Sequence, residues 1–145
     1  MKIFEVSIDN IDKMEFFLTG IRHLIPQLSS SADELTYDDL LDMVKSETTH
    51  IFVAEHDDEI IGTLSLVLFK IPTGIRAWIE DVVVDESARG LGAGQALNEY
   101  AIEFAKQNGA RTIDLTSRPS REAANRLYQR IGFELRESNL YRFKL

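Results

Sequence analysis

The chain has 145 residues with 16 basic and 24 acidic side chains, a net charge of −8, and no cysteine. A chain of this length typically forms one hydrophobic core, so we expect residues 1–145 to make a single domain. The absence of cysteine excludes disulfides, thiolate metal sites and a cysteine nucleophile. The acidic balance argues against nucleic acid as a partner, because neutralising phosphates requires a surplus of Lys and Arg.

The hydropathy pattern gives no reason to expect a membrane partner. The longest uncharged apolar stretch, residues 60–69, has ten residues, whereas a spanning helix needs roughly 20. Glu5 interrupts any signal-peptide pattern near the first residue. We therefore expect a cytoplasmic location by default.

Charge is unevenly distributed along the chain. Residues 1–88 hold 18 acidic and 6 basic side chains, whereas residues 89–145 hold 6 acidic and 10 basic ones. Solvated helix faces often account for such an asymmetry. The alternative is that the two halves bind ligands of opposite charge, a cation at the first half and an anion at the second.

The first third of the chain predicts one strand followed by two helices. Residues 2–6 have a strand pattern, and the pair Asp9 and Asn10 is a candidate cap for a helix with apolar residues at helical spacing over 14–21. A second helix is predicted over residues 36–45.

Three strands are predicted next. Residues 51–54 and 60–69 are apolar runs on either side of the acidic turn at 57–59, which indicates a hairpin. Residues 76–84 are too continuously apolar for a strand with one solvated face, so we expect this strand at the centre of the sheet.

The remaining pattern predicts two helices and three strands. A helix begins at Ala93 and ends at Gly109, where a left-handed cap is expected. A strand over 112–116, a helix over 121–131 and a closing hairpin over 133–145 follow. This order predicts an α/β fold in which a mixed sheet carries helices on its faces.

The most specific motif is the junction between the strand over 76–84 and the next helix. Gly90, Gly92 and Gly94 alternate there. Glycines let the backbone approach a bulky ligand, and the free amide groups at a helix start form an anion site. A diphosphate is the natural ligand, and the alternative is a merely tight connection between a strand and a helix.

The spacing of these glycines excludes two common nucleotide sites. A Walker loop requires Gly-x-x-x-x-Gly-Lys followed by Ser or Thr, and the chain has no such run. The dinucleotide pattern Gly-x-Gly-x-x-Gly fails as well, because its third position is Gln95 when counted from Gly90 and Leu97 when counted from Gly92.

A different pattern fits this junction. Arg89, Gly92 and Gly94 form Arg-x-x-Gly-x-Gly, which resembles the acyl-coenzyme A signature of the GNAT superfamily of N-acetyltransferases. Residues 79–85, IEDVVVD, resemble the central strand of that family, and residues 125–133 resemble its second motif, Asn-x-x-Tyr with a trailing Gly-Phe. The resemblance extends over essentially the whole chain in the order of its elements.

The resemblance implies a mixed, mostly antiparallel sheet flanked by about four helices. It implies acetyl-CoA as cosubstrate without a metal, and a primary amine of a small molecule, peptide or protein as the acceptor that attacks the thioester directly. Family members are often dimers, so a homodimer stays open. The residues that it assigns to the coenzyme are Val82, Val83, Val84, Arg89, Gly90, Leu91, Gly92, Ala93, Gly94, Gln95 and Asn125.

The resemblance also locates the thioester arm of the coenzyme. It implies that a bulge separates the strand that carries Val82 and Val84 from its neighbour, so that the arm lies between the two strands with Leu115 and Thr116 on the other side. Asn125 and Tyr128 are three residues apart on one helix and share a face. In the family that face looks onto the coenzyme sulfur, so Tyr128 is the candidate general acid.

An amine with a pKa near 10.4 must lose a proton before it attacks. The sequence leaves two candidates for the base that accepts this proton, a carboxylate and a water chain. Glu80 and Asp81 are neighbours on a strand, so we expect only one of them to face the ligand cleft. The Ile-Glu-Asp run resembles glucosamine-6-phosphate N-acetyltransferases, which gives Glu80 the substrate side. A water chain is the alternative base, and the spacing of the three histidines is not that of a metal site.

The leading hypothesis is thus an acetyl-CoA dependent N-acetyltransferase. The alternatives are a non-catalytic acyl-CoA-binding regulatory module and a nucleotide-binding domain of another kind. The uneven charge favours a cationic amine over a sugar phosphate as the acceptor, because the acidic half would supply the acceptor side.

Overall fold

The computed structural model describes residues 1–145 as a five-stranded sheet with helices on both faces. The strands lie in chain order and are β1 (Lys2–Val6), β2 (Thr49–His56), β3 (Glu59–Ile71), β4 (Gly74–Val84) and β5 (Ile113–Leu115). The α-helices are α1 (Met14–Leu28), α2 (Tyr37–Lys45), α3 (Ala93–Gln107) and α4 (Glu122–Arg130). Short 3-10 helices at Ile8–Lys13 and Glu86–Ala88 lead toward α1 and α3.

The sheet is mixed. Strands β1 to β4 pair antiparallel, and β5 pairs parallel with β4. A parallel pair needs a crossover connection, which α3 supplies. The expectation of a mixed, mostly antiparallel sheet with four helices is confirmed. None of these helices is long and apolar enough to cross a membrane.

The sheet separates two hydrophobic cores. Helices α1 and α2 cover one face, and α3 covers the other. The side chains of β2 alternate between them, because Ile51 and Val53 join the core under α1 while Phe52 and Ala54 join the core under α3. Burial on both faces explains why this strand is continuously apolar in the sequence.

A β-bulge interrupts the pairing of β3 with β4. Between the pairs Ser65–Glu80 and Thr63–Val83, one residue of β3 lies opposite two of β4. Asp81 lies in the bulge with a φ of 52°, a left-handed conformation that Asp tolerates better than most non-glycine residues. The extra residue reverses the alternation of side chains along β4 beyond this point.

Strands β4 and β5 separate before β4 ends. Their last paired residues are Ile79 and Leu115, and β4 then continues for five residues to Val84. This end of the sheet therefore contains a gap between two neighbouring strands. The splay that the resemblance implies is present, although the bulge lies on the side of β4 that faces β3.

Side-chain caps fix where the early helices begin. Thr36 caps α2, since its hydroxyl accepts from the amide of Asp39 at 3.1 Å while Asp39 accepts from the amide of Thr36 at 3.0 Å. The helix predicted over residues 36–45 is confirmed. The Asp9 and Asn10 pair is not the cap of α1: Ser7 caps a 3-10 helix that precedes α1, with its amide donating to Asn10 at 2.9 Å.

Two further expectations are wrong. The central strand of the sheet is β3, and β4 lies between β3 and β5. A strand that is paired on both edges and covered on both faces must lie inside the sheet, but it need not be the middle strand. The closing hairpin over 133–145 is absent, since no residue of this segment pairs in the sheet. The left-handed cap at Gly109 is confirmed by its φ of 77°.

Candidate active site

The turn between β4 and α3, residues 89–95, leaves backbone donors free. Gly90 and Gly92 have φ values of 86° and 84°, which any larger residue adopts only with strain. The first hydrogen bond of the helix joins the amide of Ala96 to the carbonyl of Gly92 at 3.0 Å. The amides of residues 93–95 therefore have no acceptor within the helix, which is what an anion site at a helix start requires.

The glycines of this turn have different structural roles. A β-carbon at Gly90 or Gly92 would meet no heavy atom within 4 Å, so the chain leaves the space beside them open. A β-carbon at Gly94 would lie 3.3 Å from Leu127 Cδ2. Gly94 thus allows α3 to pack closely against α4, whereas Gly90 and Gly92 keep the turn open to a ligand.

The side chains of three assigned coenzyme residues bond to the chain itself. Arg89 pairs with Glu86 at 3.2 Å on the surface. The Asn125 amide donates to the carbonyl of Arg118 at 3.0 Å, and Gln95 accepts from α4. The structure thus leaves the backbone amides of the turn free, whereas the side chains of Arg89, Gln95 and Asn125 bond within the chain.

Asp85 fastens the start of this turn to α1. Its carboxylate accepts from the amide of Ser87 at 2.8 Å and from Gln27 Nε2 at 3.2 Å, and it lies 2.7 Å from His23 Nε2. The hydrogen bonds from Ser87 hold the pKa of Asp85 well below its usual range. The carboxylate is ionised at neutral pH and keeps the turn in position.

The gap between β4 and β5 exposes main-chain groups of β4. The amide of Asp85 donates to the carbonyl of Ile61 at 2.8 Å, and the alternation of an antiparallel pair turns Val83 to β3 as well. Val82 and Val84 therefore direct their main-chain groups into the gap, as the resemblance implies. Val83 does not, because its main chain faces β3 and its side chain is buried under α1.

A cavity of about 150 Å³ occupies this gap, and we call it the inter-strand cleft. It is lined by Leu28, Ser29, Ile79, Glu80, Asp81, Val82, Leu115, Thr116, Arg121 and Tyr128. The cleft thus brings β4, β5, α4 and the end of α1 together. Leu115 and Thr116 form the wall opposite β4, where the resemblance places them.

Tyr128 is the buried phenol of the inter-strand cleft. Its side chain is 8% exposed, and its ring packs edge-on against Phe133 with centroids 5.9 Å apart. Burial raises the pKa of Tyr128, and the positive charge of Arg121 offsets part of that effect. The phenol therefore keeps its proton at neutral pH, which a general acid requires.

Glu80 and Asp81 both line the inter-strand cleft. The expectation that only one of them faces it is wrong, because the bulge suspends the alternation of side chains between them. Glu80 accepts a hydrogen bond from Trp78 Nε1 at 2.7 Å. Desolvation raises the pKa of Asp81, and the neighbouring charge of Glu80 raises it further.

A second, larger cavity of about 570 Å³ lies between α1, α2 and the sheet. We call it the acidic cavity because five of its lining residues are carboxylates and none is Lys or Arg. The lining residues are Ile21, Ile25, Asp33, Glu34, Leu35, Asp39, Leu40, Asp42, Met43, Ser46, Thr49, Ile51, Thr63, Ser65 and Asp81. Asp81 lines both cavities and so lies at their junction.

The carboxylates of the acidic cavity are not equally free. Asp39 is held by the cap of α2, and Glu34 pairs with an arginine of α1 at 3.3 Å. Asp33, Asp42 and Asp81 make no ion pair with the chain. The sequence did not predict that these carboxylates line one cavity. The only sign of the cavity in the sequence was the acidic surplus of residues 1–88.

Comparison with known proteins decides the family. The model of the Acetyltransferase (GNAT) family matches residues 15–133. The chain belongs to the GNAT acetyltransferase family. Acetyl-CoA is the cosubstrate of this family, and the expectation of an acyltransferase is confirmed. No group of three or more His, Cys, Asp or Glu side chains is arranged to hold a metal ion.

Individual relatives agree with this GNAT assignment. The uncharacterized N-acetyltransferase YhdJ of Bacillus subtilis is 29% identical over 122 residues, which cover 82% of this chain and 85% of the relative. The glucosamine 6-phosphate N-acetyltransferase of Trypanosoma brucei brucei is 35% identical over 95 residues, which cover 63% of each. The chain spans from 27% to 85% of the length of the curated relatives that it matches.

A solved structure has the same fold. The putative acetyltransferase from Agrobacterium tumefaciens str. C58 superposes with a TM-score of 0.84 at 23% identity, covering 99% of this chain and 100% of that one. At this identity the match shows the shared GNAT fold and nothing about the acceptor.

The glycine turn gives a first prediction. The change Gly92→Val places a β-branched side chain in the open space of the turn at a φ of 84°, so we expect acetyl-CoA affinity to fall at least about tenfold in calorimetric titration. Unchanged affinity would contradict the anion site.

Gly109→Val is the matched control for backbone strain. Gly109 follows the C-terminal end of α3, opposite to the glycine turn, and has a similar φ of 77°. This variant should lose stability to a comparable degree and keep its affinity for acetyl-CoA.

Proposed function

We propose that this protein transfers the acetyl group of acetyl-CoA to a primary amine of a small cationic molecule. The observation that carries the proposal is the position of Asp81, which lines both the inter-strand cleft and the acidic cavity. In this proposal the thioester lies in the inter-strand cleft and the acceptor binds in the acidic cavity. The Asp81 carboxylate then lies where the amine would meet the thioester.

Backbone groups hold the cosubstrate in this proposal. The free amides of residues 93–95 bind the diphosphate at the start of α3. The main-chain groups of Val82 and Val84 bind the extended pantetheine arm as a neighbouring strand would. These interactions fit the structure because the gap leaves those groups without a partner strand from Glu80 onward.

Proton transfers are assigned to two side chains. The acceptor ammonium must lose a proton before its nitrogen attacks the thioester carbonyl, and Asp81 accepts that proton. As the carbon–sulfur bond breaks, Tyr128 donates its phenol proton to the departing thiolate. Asp81 is preferred to Glu80, since the Glu80 carboxylate already accepts from Trp78 and lines only the inter-strand cleft.

The charge of the acidic cavity selects the acceptor. Asp33, Asp42 and Asp81 are free to attract ammonium groups, and no Lys or Arg lines the cavity to bind a phosphate. The Trypanosoma relative is named for glucosamine 6-phosphate, but an anionic sugar phosphate would be repelled here. A volume of about 570 Å³ lies within the usual range for small-molecule sites, which favours a small amine over a protein side chain.

The direct test is a screen of acceptors with acetyl-CoA, read as release of free thiol. The protein adds no thiol of its own, since it has no cysteine. We expect the highest kcat/KM for molecules with two or more amines, and little activity with glucosamine 6-phosphate. Binding of acetyl-CoA without turnover of any amine would instead support the non-catalytic regulatory module.

The acidic cavity predicts how acceptor affinity changes with its charge. The double change Asp33→Asn and Asp42→Asn should raise KM for a cationic acceptor on the order of tenfold, because it removes two attracting charges. The KM for acetyl-CoA should stay the same. The control Asp38→Asn removes a charge of α2 that does not line the cavity, and an equal effect there would contradict the site.

Tyr128 predicts an effect on turnover alone. The change Tyr128→Phe keeps the packing against Phe133 and removes the proton donor, so kcat should fall roughly ten- to a thousandfold with acetyl-CoA affinity retained. Steady-state kinetics together with titration of acetyl-CoA separate the two effects. Unchanged kcat would remove Tyr128 from this role.

Asp81 predicts a pH profile. A base acts only when it is deprotonated, so the raised pKa of Asp81 should place the acidic limb of kcat/KM above the usual Asp value of about 3.9. Asp81→Asn should abolish that limb and lower kcat at least about tenfold, while Asn still tolerates the left-handed backbone. Glu80→Gln is the control, and a larger loss there would move the base to Glu80.

A further inference from the structure

Helix α3 buries one polar side chain among apolar ones. Four residues of the helix join the hydrophobic core beneath it: Ala93, Leu97, Ala101 and Ala105. Asn98 lies among them and is 0% exposed. Besides the phenol of Tyr128, the only other buried polar residue of the chain is Thr63, whose hydroxyl donates to the carbonyl of Phe52 at 3.1 Å.

The side-chain amide of Asn98 has a hydrogen-bond partner on one side only. Its Nδ2 donates to the carbonyl of Gly94 at 2.8 Å, whereas its Oδ1 is buried and has no partner. A buried acceptor without a donor costs free energy of folding. An apolar side chain of similar size avoids this cost, so stability alone gives no reason for an asparagine at this position.

The carbonyl that accepts from Asn98 belongs to the glycine turn. The Gly94 carbonyl and the Gln95 amide are the two halves of one peptide group, and the Gln95 amide is one of the free donors at the start of α3. In a helix the same carbonyl also accepts from the backbone amide four residues on, so it receives two hydrogen bonds. Hydrogen bonds in series polarise one another, which makes the Gln95 amide a stronger donor.

We propose that Asn98 is a positioning residue for the coenzyme, because its side-chain amide orients and polarises the peptide group whose other end binds the diphosphate. Asn98 itself touches no ligand, since its side chain is fully buried. Its unpartnered oxygen is a loss of stability, and such losses are common where a residue serves function. The inference rests on the cosubstrate site of the proposed function and does not involve the acceptor.

Packing holds this part of α3 independently of the Asn98 bond. A β-carbon at Gly94 would lie 3.3 Å from Leu127 of α4 and 3.7 Å from Val84 at the end of β4. The peptide group of Gly94 therefore lies where α3, α4 and β4 meet. We thus expect loss of the hydrogen bond to change the strength of the Gln95 donor and to leave the fold intact.

A matched pair of substitutions separates the hydrogen bond from the packing. Thr and Val have nearly the same shape, and only Thr carries a hydroxyl. A Thr hydroxyl in a helix donates readily to the carbonyl four residues earlier, as Thr19 does to Glu15 at 2.7 Å in α1. Asn98→Thr therefore keeps a donor for Gly94, whereas Asn98→Val removes it.

Calorimetric titration with acetyl-CoA and thermal unfolding test the pair. We expect Asn98→Thr to retain the wild-type affinity and Asn98→Val to lose roughly two- to fivefold, because one donor is weakened and not removed. Thermal unfolding should rank the two variants in the opposite order. Asn98→Val should be at least as stable as Asn98→Thr, since it buries no hydroxyl.

The other end of α3 supplies the control. The side-chain amide of Asn108 donates to the carbonyl of Phe104, also four residues earlier and also at 2.8 Å. Asn108 caps the C-terminal end of the helix, away from the glycine turn. Asn108→Val removes the same kind of bond and should leave the affinity for acetyl-CoA unchanged.

Three outcomes would overturn the inference. They are equal affinity of the two Asn98 variants, an equal loss of affinity in Asn108→Val, and an Asn98→Val variant that is both less stable and weaker in binding than Asn98→Thr. In the last case a loosened helix explains both losses. Wild-type protein that binds no acetyl-CoA would overturn the proposed function as well, whereas normal wild-type binding with equal variants overturns the role of Asn98 alone.

Discussion

The separation of β4 from β5 is the constraint on which the rest of the site depends. Main-chain donors and acceptors need partners, and beyond Ile79 the inner strand β4 has none on its β5 side. An extended amide-containing ligand would restore that pairing. The glycine turn follows directly at the end of β4, so the same backbone run supplies first a strand edge and then a helix start. This continuity makes a long ligand with a diphosphate the natural complement of the fold.

The bulge in β4 brings two carboxylates to this open edge. A regular strand would send Glu80 and Asp81 to opposite faces, with one of them in the core under α3. One extra residue leaves both carboxylates on the open side and returns Val82 and Val84 to the opposite core. The strained backbone of Asp81 thus lies where the two cavities meet, and unusual conformations of this kind tend to cluster at functional sites.

Several features of the site depend only on residues that are close in sequence, and they were predicted. The left-handed cap at Gly109 and the free helix start after Gly90 and Gly92 follow from local backbone chemistry. Tyr128 was assigned through the resemblance of residues 125–133 to the second motif of the family, and its role as the acid stays a prediction. The order of the strands in the sheet could be predicted for the same reason, since a meander of antiparallel strands places strands that are neighbours in the chain next to each other. The middle position expected for β4 was wrong because burial on both faces does not reveal how many strands lie beyond.

The sequence by itself determined the family and the glycine turn, because motifs of short-range spacing identify the one and set the backbone conformation of the other. Only the tertiary structure decided that Asp81 reaches both cavities, since that depends on the register between β3 and β4. It also assembled the acidic cavity, whose carboxylates are separated by up to 48 positions from Asp33 to Asp81. Residues 133–145 have a strand pattern in the sequence, yet they remain unpaired in the fold. Alternating side chains specify an extended backbone, whereas a strand forms only when long-range packing supplies its neighbour.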